Sequence, residues 1–121
     1  MSNVNEVLDN CMTIEGAFAV ALVDFESGLT LGTRCTRNNF DIEVAASGNT
    51  QVVRSKMQVM KSLKIEGAID DILISLQTQY HLIRPLTTMR NLFMYLAIDR
   101  QRGNLGMARH MLTTFERDLR V

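Results

Sequence analysis

The sequence predicts an α+β fold in which helices separate two groups of antiparallel strands. Three observations lead to it. The runs AFAVALVDF (17–25) and NLFMYLAID (91–99) are apolar at both parities, as strands covered on both faces must be. Short links join neighbouring strand-like runs, which makes them hairpins rather than crossovers. Apolar residues at helical spacing occupy the chain start, the middle and the end.

Asn3 or Asn5 is placed to cap a first helix ending at Cys11 or Met12, with Val4, Leu8, Cys11 and Met12 on one stripe. Gly16 breaks that pattern, and residues 17–25 form the first central strand. Glu26-Ser27-Gly28 is a turn. LTLGTRC (29–35) then alternates Leu29, Leu31 and Thr33 against Thr30, Gly32 and Arg34, which predicts a half-buried strand.

Asp41 caps, or opens with a first-turn acid, a long helix from about Ile42 to Leu63. Ile42, Ala46, Val53, Met57 and Met60 form one apolar row. Ala45, Val52, Val59 and Leu63 form a second, displaced row, broken by Asn49 and Lys56. One row suffices to cover a sheet, so the second implies that this helix meets something else. Gly48 costs about 1 kcal/mol relative to alanine in a helix. It is either a tolerated defect or a place where another backbone comes close.

DILISLQTQ (71–79) opens apolar at Ile72-Leu73-Ile74 and turns polar, and YHLIRPL (80–86) returns at once as the next strand of a hairpin. Pro85 cannot donate to a ladder, so that strand bulges or ends near it. After the second central strand, Asn104 caps a last helix. It places Leu105, Ala108, Met111, Leu112, Phe115 and Leu119 on one face and turns Arg109, Glu116, Arg117 and Asp118 to water. Met57, Met60, Met94, Met107 and Met111 fall at core or interface positions. Residues 1–121 read as one domain without repeat or linker.

Groups arranged for catalysis are scarce. His81 and His110 are isolated, so no metal site is expected. Nucleophile motifs are missing, and GNLG (103–106) lacks the lysine of a phosphate loop. Asp70 and Asp71 point to opposite faces of a strand, as do His81 and Arg84, which excludes joint acid–base work. Asp24 and Glu26 flank a turn as solvated carboxylates. Thirteen basic residues balance thirteen acidic ones, so no global charge favours nucleic acid or an anionic membrane. No apolar run is long enough to span a bilayer, and no signal peptide is expected. Cys11 and Cys35 are expected as reduced core thiols in a cytoplasmic protein.

GAFAVALVDFESGLTLGT, DILISLQTQYHLIRPL and NLFMYLAIDRQRGNLGMARHMLTTFERDL, taken in order, resemble the roadblock (dynein light chain) family, and in particular its small prokaryotic members. The YHLIRPL strand and the NLGMAR helix start, at their relative spacing, are the most specific part. The resemblance covers nearly the whole chain. It implies a five-stranded antiparallel sheet of order 2-1-5-4-3, with the long helix on one face and the two terminal helices on the other. It also implies a homodimer through the third strand and the long helix, which would engage Val52, Val59, Leu63, Ile72, Ile74 and Leu76. An edge beginning Ile72-Leu73-Ile74 would be an aggregation hazard if left unpaired. Family members are non-catalytic platforms for small Ras-like GTPases. Their partner surface corresponds here to Arg54, Lys56, Lys61 and Lys64. No catalytic residue and no cofactor carries over. A small-ligand sensor on the same fold is the alternative, and bulky sheet residues (Leu22, Val23, Phe93, Met94, Tyr95) leave it little room.

Overall fold

A computed structural model describes residues 2–121. The elements are α1 (Val4–Cys11), β1 (Ala17–Asp24), β2 (Thr30–Cys35), α2 (Ile42–Ser62), β3 (Ile72–Ser75), β4 (Gln79–Pro85), β5 (Leu92–Asp99) and α3 (Leu105–Asp118). The strands form one sheet of order β2-β1-β5-β4-β3, with every neighbouring pair antiparallel. β1 and β5, the strands apolar at both parities, are interior and fully buried along most of their length.

Alternation along the strands sends side chains into two layers. On one face Val20, Leu22, Leu82, Met94, Leu96 and Ile98 meet α1 and α3 through Val7, Leu8, Ala108 and Leu112. On the other face Ala19, Ala21, Val23, Ile83, Phe93 and Tyr95 meet α2 through Ala46 and Val53. Phe18 joins the second layer as well, because the β1–β5 register shifts between Ala17 and Ala19.

Local chemistry fixes the helix ends. The Asp41 carboxylate accepts the backbone N–H of Glu43 and of Val44, both at 3.1 Å. Asn104 accepts the Met107 N–H at 2.9 Å. Asn3 precedes α1 but makes no cap bond of its own helix. Its side chain instead reaches the far end of the chain, where Nδ2 donates to the Asp118 carbonyl at 2.6 Å and Oδ1 accepts the Arg120 N–H at 2.5 Å. Gly32 is required by packing: a Cβ there would stand 2.6 Å from Leu8 Cδ1, so glycine lets α1 close on β2.

Several sequence expectations are corrected. Leu29 and Leu31 do not face the core and are 69% and 38% exposed. The β1–β2 register shifts between Leu22 and Val23, and Leu31 falls at that irregularity, which turns the alternation of this strand. Met107 is 54% exposed, which excludes the core and leaves only the interface alternative for it. Glu116 is not on the water face of α3 but buried, and Arg109 is half-buried; both hold ion pairs described below. Asn49 does not interrupt the apolar surface of α2 as an exposed polar residue, because it is buried in the core layer.

Candidate interaction surface

The two edges of the sheet are not equivalent. β2 carries an irregular register at Leu31, a glycine at 32 and the charged Arg34, which donates to Asp9 at 2.8 Å. Such features blunt an edge against pairing with another chain. β3 has none of them. Ile72, Leu73, Ile74 and Ser75 pair in regular register with Ile83, Leu82, His81 and Tyr80, and their outer N–H and C=O groups face no further strand. Leu76, just past β3, is 42% exposed.

α2 lies across β1 and β2 and leaves the β4–β3 side of its face open. One flank of the helix is tied to the β1–β2 hairpin: Glu43 accepts from the Thr30 hydroxyl at 3.3 Å, and Arg54 Nη2 donates to the Glu26 carbonyl at 2.6 Å. At 100° per residue the Val52–Val59–Leu63 row lies roughly on the opposite flank. Val52, Ile72 and Ile74 all sit half-buried against the same core layer. Val59 and Leu63 continue the row toward the helix end at 45% and 62% exposure. Val52, Val59 and Leu63 thus form a partly uncovered row on α2, while Ile72, Ile74 and Leu76 lie on or just past the free edge strand. Gly48 lies in a shallow groove on this row with Gln51, Val52, Ser55, Lys56 and Val59, and beyond its own helical turn no atom comes within 4 Å of a Cβ placed on it.

The four bases do not share a face. Arg54 is engaged at the β1–β2 turn. Lys56 stands beside Val52 and Val59, and Lys61 lies near the end of α2 beside Pro85 and Arg90. Lys64 follows the helix in a left-handed conformation, φ 57°.

Polar groups near this row and edge are paired. His81 is half-buried opposite Ile74 and lies edge-on between the Phe40 and Tyr95 rings. Burial holds its pKa below the usual histidine value. Its Nε2 is 2.8 Å from Gln79 Oε1 and its Nδ1 is 3.3 Å from the Tyr95 hydroxyl. An amide oxygen accepts only, so neutral His81 donates through Nε2, and the Tyr95 hydroxyl donates to Nδ1. Burial pushes the Tyr95 phenol up to about 12, against an opposing hydrogen bond from Asn49. His81 is therefore a core-margin residue of the α2 layer.

On the opposite face, Arg84 Nε donates to Glu116 Oε1 at 2.7 Å, and Thr87 donates to Oε2 through its hydroxyl (2.8 Å) and its N–H (3.2 Å). Burial alone would raise the Glu116 pKa; the bonds from Arg84 and Thr87 outweigh it and hold the carboxyl below its ordinary value. Arg109 grips Asp71 through two nitrogens at 2.8 and 3.2 Å, which ties the start of β3 to α3. Sequence patterning missed Glu116 because its helical position borders the polar face. The signal available was only the isolated Arg84 in an otherwise apolar strand. Among the described residues no group of three or more His, Cys, Asp or Glu is arranged to hold a metal ion, and no helix is long and apolar enough to cross a membrane.

No family model matches the sequence, and no curated protein matches it by sequence. Solved structures match the fold. Myxococcus xanthus MglB superposes with a TM-score of 0.82 at 17% identity, over 95% of this chain and 89% of that one. A Roadblock/LC7 domain from Streptomyces avermitilis gives 0.81 at 8% identity, over 97% and 94%. MglC from Myxococcus xanthus gives 0.62 at 18% identity, over 94% and 93%.

Proposed function

We propose that this chain, which has the roadblock fold in the form seen in MglB, is a non-catalytic homodimeric platform for a small Ras-like GTPase in the cytoplasm. The observation that supports the dimer is the unpaired β3 edge, with Ile72, Ile74 and the exposed Leu76, together with the exposed Val59 and Leu63 in line with Val52 on α2. A second copy related by a two-fold axis supplies both things this surface lacks. Its β3 pairs with the free edge, and its α2 covers the open β4–β3 side. Gly48 on the exposed row would permit close approach of a partner helix, which supports the second of the two sequence readings.

An MglB structure 15% identical to this chain has a tetrameric arrangement, which supports self-association as the use of this fold. The GTPase assignment rests on the roadblock resemblance. Of the bases, Lys56 borders the dimer row, and Arg54, Lys61 and Lys64 lie outside it, so the GTPase would meet a surface wider than one helix face.

Two measurements test this reading. Ile74→Lys places a charge at the proposed edge, and sedimentation should show monomer or aggregate; a dimer like the wild type removes β3 from the interface. Immobilised protein should enrich a Ras-like GTPase from native-host lysate in one nucleotide state, with GDP or a non-hydrolysable GTP analogue added. Recovery of the protein alone in both conditions counts against the GTPase.

A further inference from the structure

We propose that His81 makes the dimer sensitive to pH: the second copy closes over a neutral imidazole, and uptake of a proton at Nδ1 opens the contact. This inference rests on the dimer reading above and adds its regulation. His81 stands directly opposite Ile74 of the free edge strand, on the face that α2 covers only in part. One strand spacing, about 4.8 Å, separates the two residues. A helix is about 10 Å wide, so a partner helix laid over β3 also reaches His81. His81 is half-buried in one protomer, and such a cover takes away the water that its ring still meets.

The ring has no place for a second proton. Nε2 already donates to Gln79 Oε1 at 2.8 Å, and Nδ1 accepts from the Tyr95 hydroxyl at 3.3 Å. A proton on Nδ1 sets two donors against each other, and the hydroxyl must turn away inside a fully buried residue. The groups around the ring offer no free counter-charge. β3 brings Ile72 and Ile74 to this face, and the buried stripe of α2 brings Ala46, Asn49 and Val53. On β5, Asp99 lies two residues beyond Ala97, the register partner of His81. Its carboxylate is held by Arg37 at 3.2 Å and by the Gln101 N–H at 3.0 Å. Asp41 caps α2, and Cys35 donates to the Arg37 and Phe40 carbonyls. Glu43 and Arg54 are bonded at the β1–β2 hairpin. The charge beside Val52 and Val59 on the row that a second copy would bring is Lys56, a cation. Burial in this setting holds the imidazole neutral.

Because the ring is less exposed in the dimer than in the monomer, its pKa is lower there, and protons favour the monomer. The dimer is at full strength above both values. It weakens as pH falls through the monomer value, by at most about tenfold per pH unit for each of the two copies. Sedimentation with fluorescence detection reads the dissociation constant from dilution series at about pH 8 and about pH 5.5, the range in which histidine titrates. The expected result is a rise of at least about tenfold at the lower pH, roughly threefold from each copy. His81→Gln should remove the rise. His110→Gln should keep it, since His110, the other histidine of the chain, is exposed on α3 across the sheet. Long-range proton–nitrogen NMR of the wild type reads the ring directly: His81 should stay neutral, with its proton on Nε2, for as long as the dimer persists. An equal constant at both pH values overturns the inference and leaves the dimer standing. So does a rise that survives His81→Gln, or an imidazolium at His81 inside an intact dimer. Should His81→Gln not fold, the wild-type NMR titration decides. A monomer at every concentration at about pH 8 removes the dimer reading, and this inference with it.

Discussion

Val59 offers the sharpest test of the dimer, because its contribution can be worked out from one protomer. It is 45% exposed, in line with the half-buried Val52 on the same α2 flank. Full burial of a valine side chain is worth about 1.5 kcal/mol at the low end, so roughly 0.7 kcal/mol remains to be gained by covering Val59. Alanine keeps one of the three side-chain carbons and loses about two thirds of that gain; a two-fold axis uses the residue twice, so Val59→Ala should cost about 0.9 kcal/mol, roughly a fivefold rise in the dimer dissociation constant. Val59→Asp adds an unpaired polar group, about 1–3 kcal/mol per copy, and should raise the constant at least about 30-fold beyond the alanine variant. A dilution series in the analytical ultracentrifuge reads both constants. Leu29→Asp serves as the control: Leu29 is 69% exposed but sits at the β2 edge of the sheet. Unchanged dissociation for Val59→Asp, or equal weakening by Leu29→Asp, would refute the assignment of the second row to a partner helix.

Glu116→Ala strips the counterion from Arg84, whose side chain is only 18% exposed, and should cost about 3–5 kcal/mol in urea unfolding followed by far-UV circular dichroism at fixed protein concentration. The folded-state Glu116 pKa is lowered, so its stabilisation is present above the unfolded value of about 4.3 and is lost as pH falls through the folded one; the deficit of the variant should shrink below pH 4.3 and stay constant from pH 6 to 8. Gly32→Ala should destabilise by about 1–3 kcal/mol through overpacking against Leu8, with an unchanged urea m-value; a neutral effect would mean that α1 shifts freely on β2. Asp71→Asn breaks the charge partner of Arg109 and should speed amide hydrogen exchange in β3 more than in β1 or β5, and uniform exchange rates would remove Arg109 as the anchor of the edge strand.

Strands buried on both faces announce themselves, and β1 and β5 were therefore legible from composition alone. Asp41 and Asn104 were legible because a cap needs one side chain at one offset. Where the sequence misled, a tertiary partner overrode a local period. Leu31 follows the strand alternation, yet the shifted β1–β2 register takes it out of the core. Glu116 follows the helix period to the polar side, yet Arg84 and Thr87, about thirty residues earlier, supply it with three hydrogen bonds. No local window contains that compensation. Arg54, Lys56, Lys61 and Lys64 were grouped as the partner surface that the resemblance implies on the long helix. Only the helix geometry separates Arg54, bonded to the Glu26 carbonyl, from Lys56 among the apolar side chains of the other flank.

The two polar residues that divide the apolar rows of α2 do different work, and this separates a covered flank from an uncovered one. Asn49 is 8% exposed on the buried stripe of α2, so it belongs to the core layer. Lys56 is exposed, beside Val52 and Val59. A lysine in such a place lays its methylenes along apolar surface and keeps its ammonium in water. In a monomer that arrangement would partly shield the row. In a dimer the same lysine would have to point outward along the helix pair, where it is available to an acidic partner. Lys56→Ala should thus leave self-association within about threefold, the effect of a rim side chain, while weakening capture of a GTPase. Weakened self-association with unchanged capture would place Lys56 in the seam and move the partner surface elsewhere.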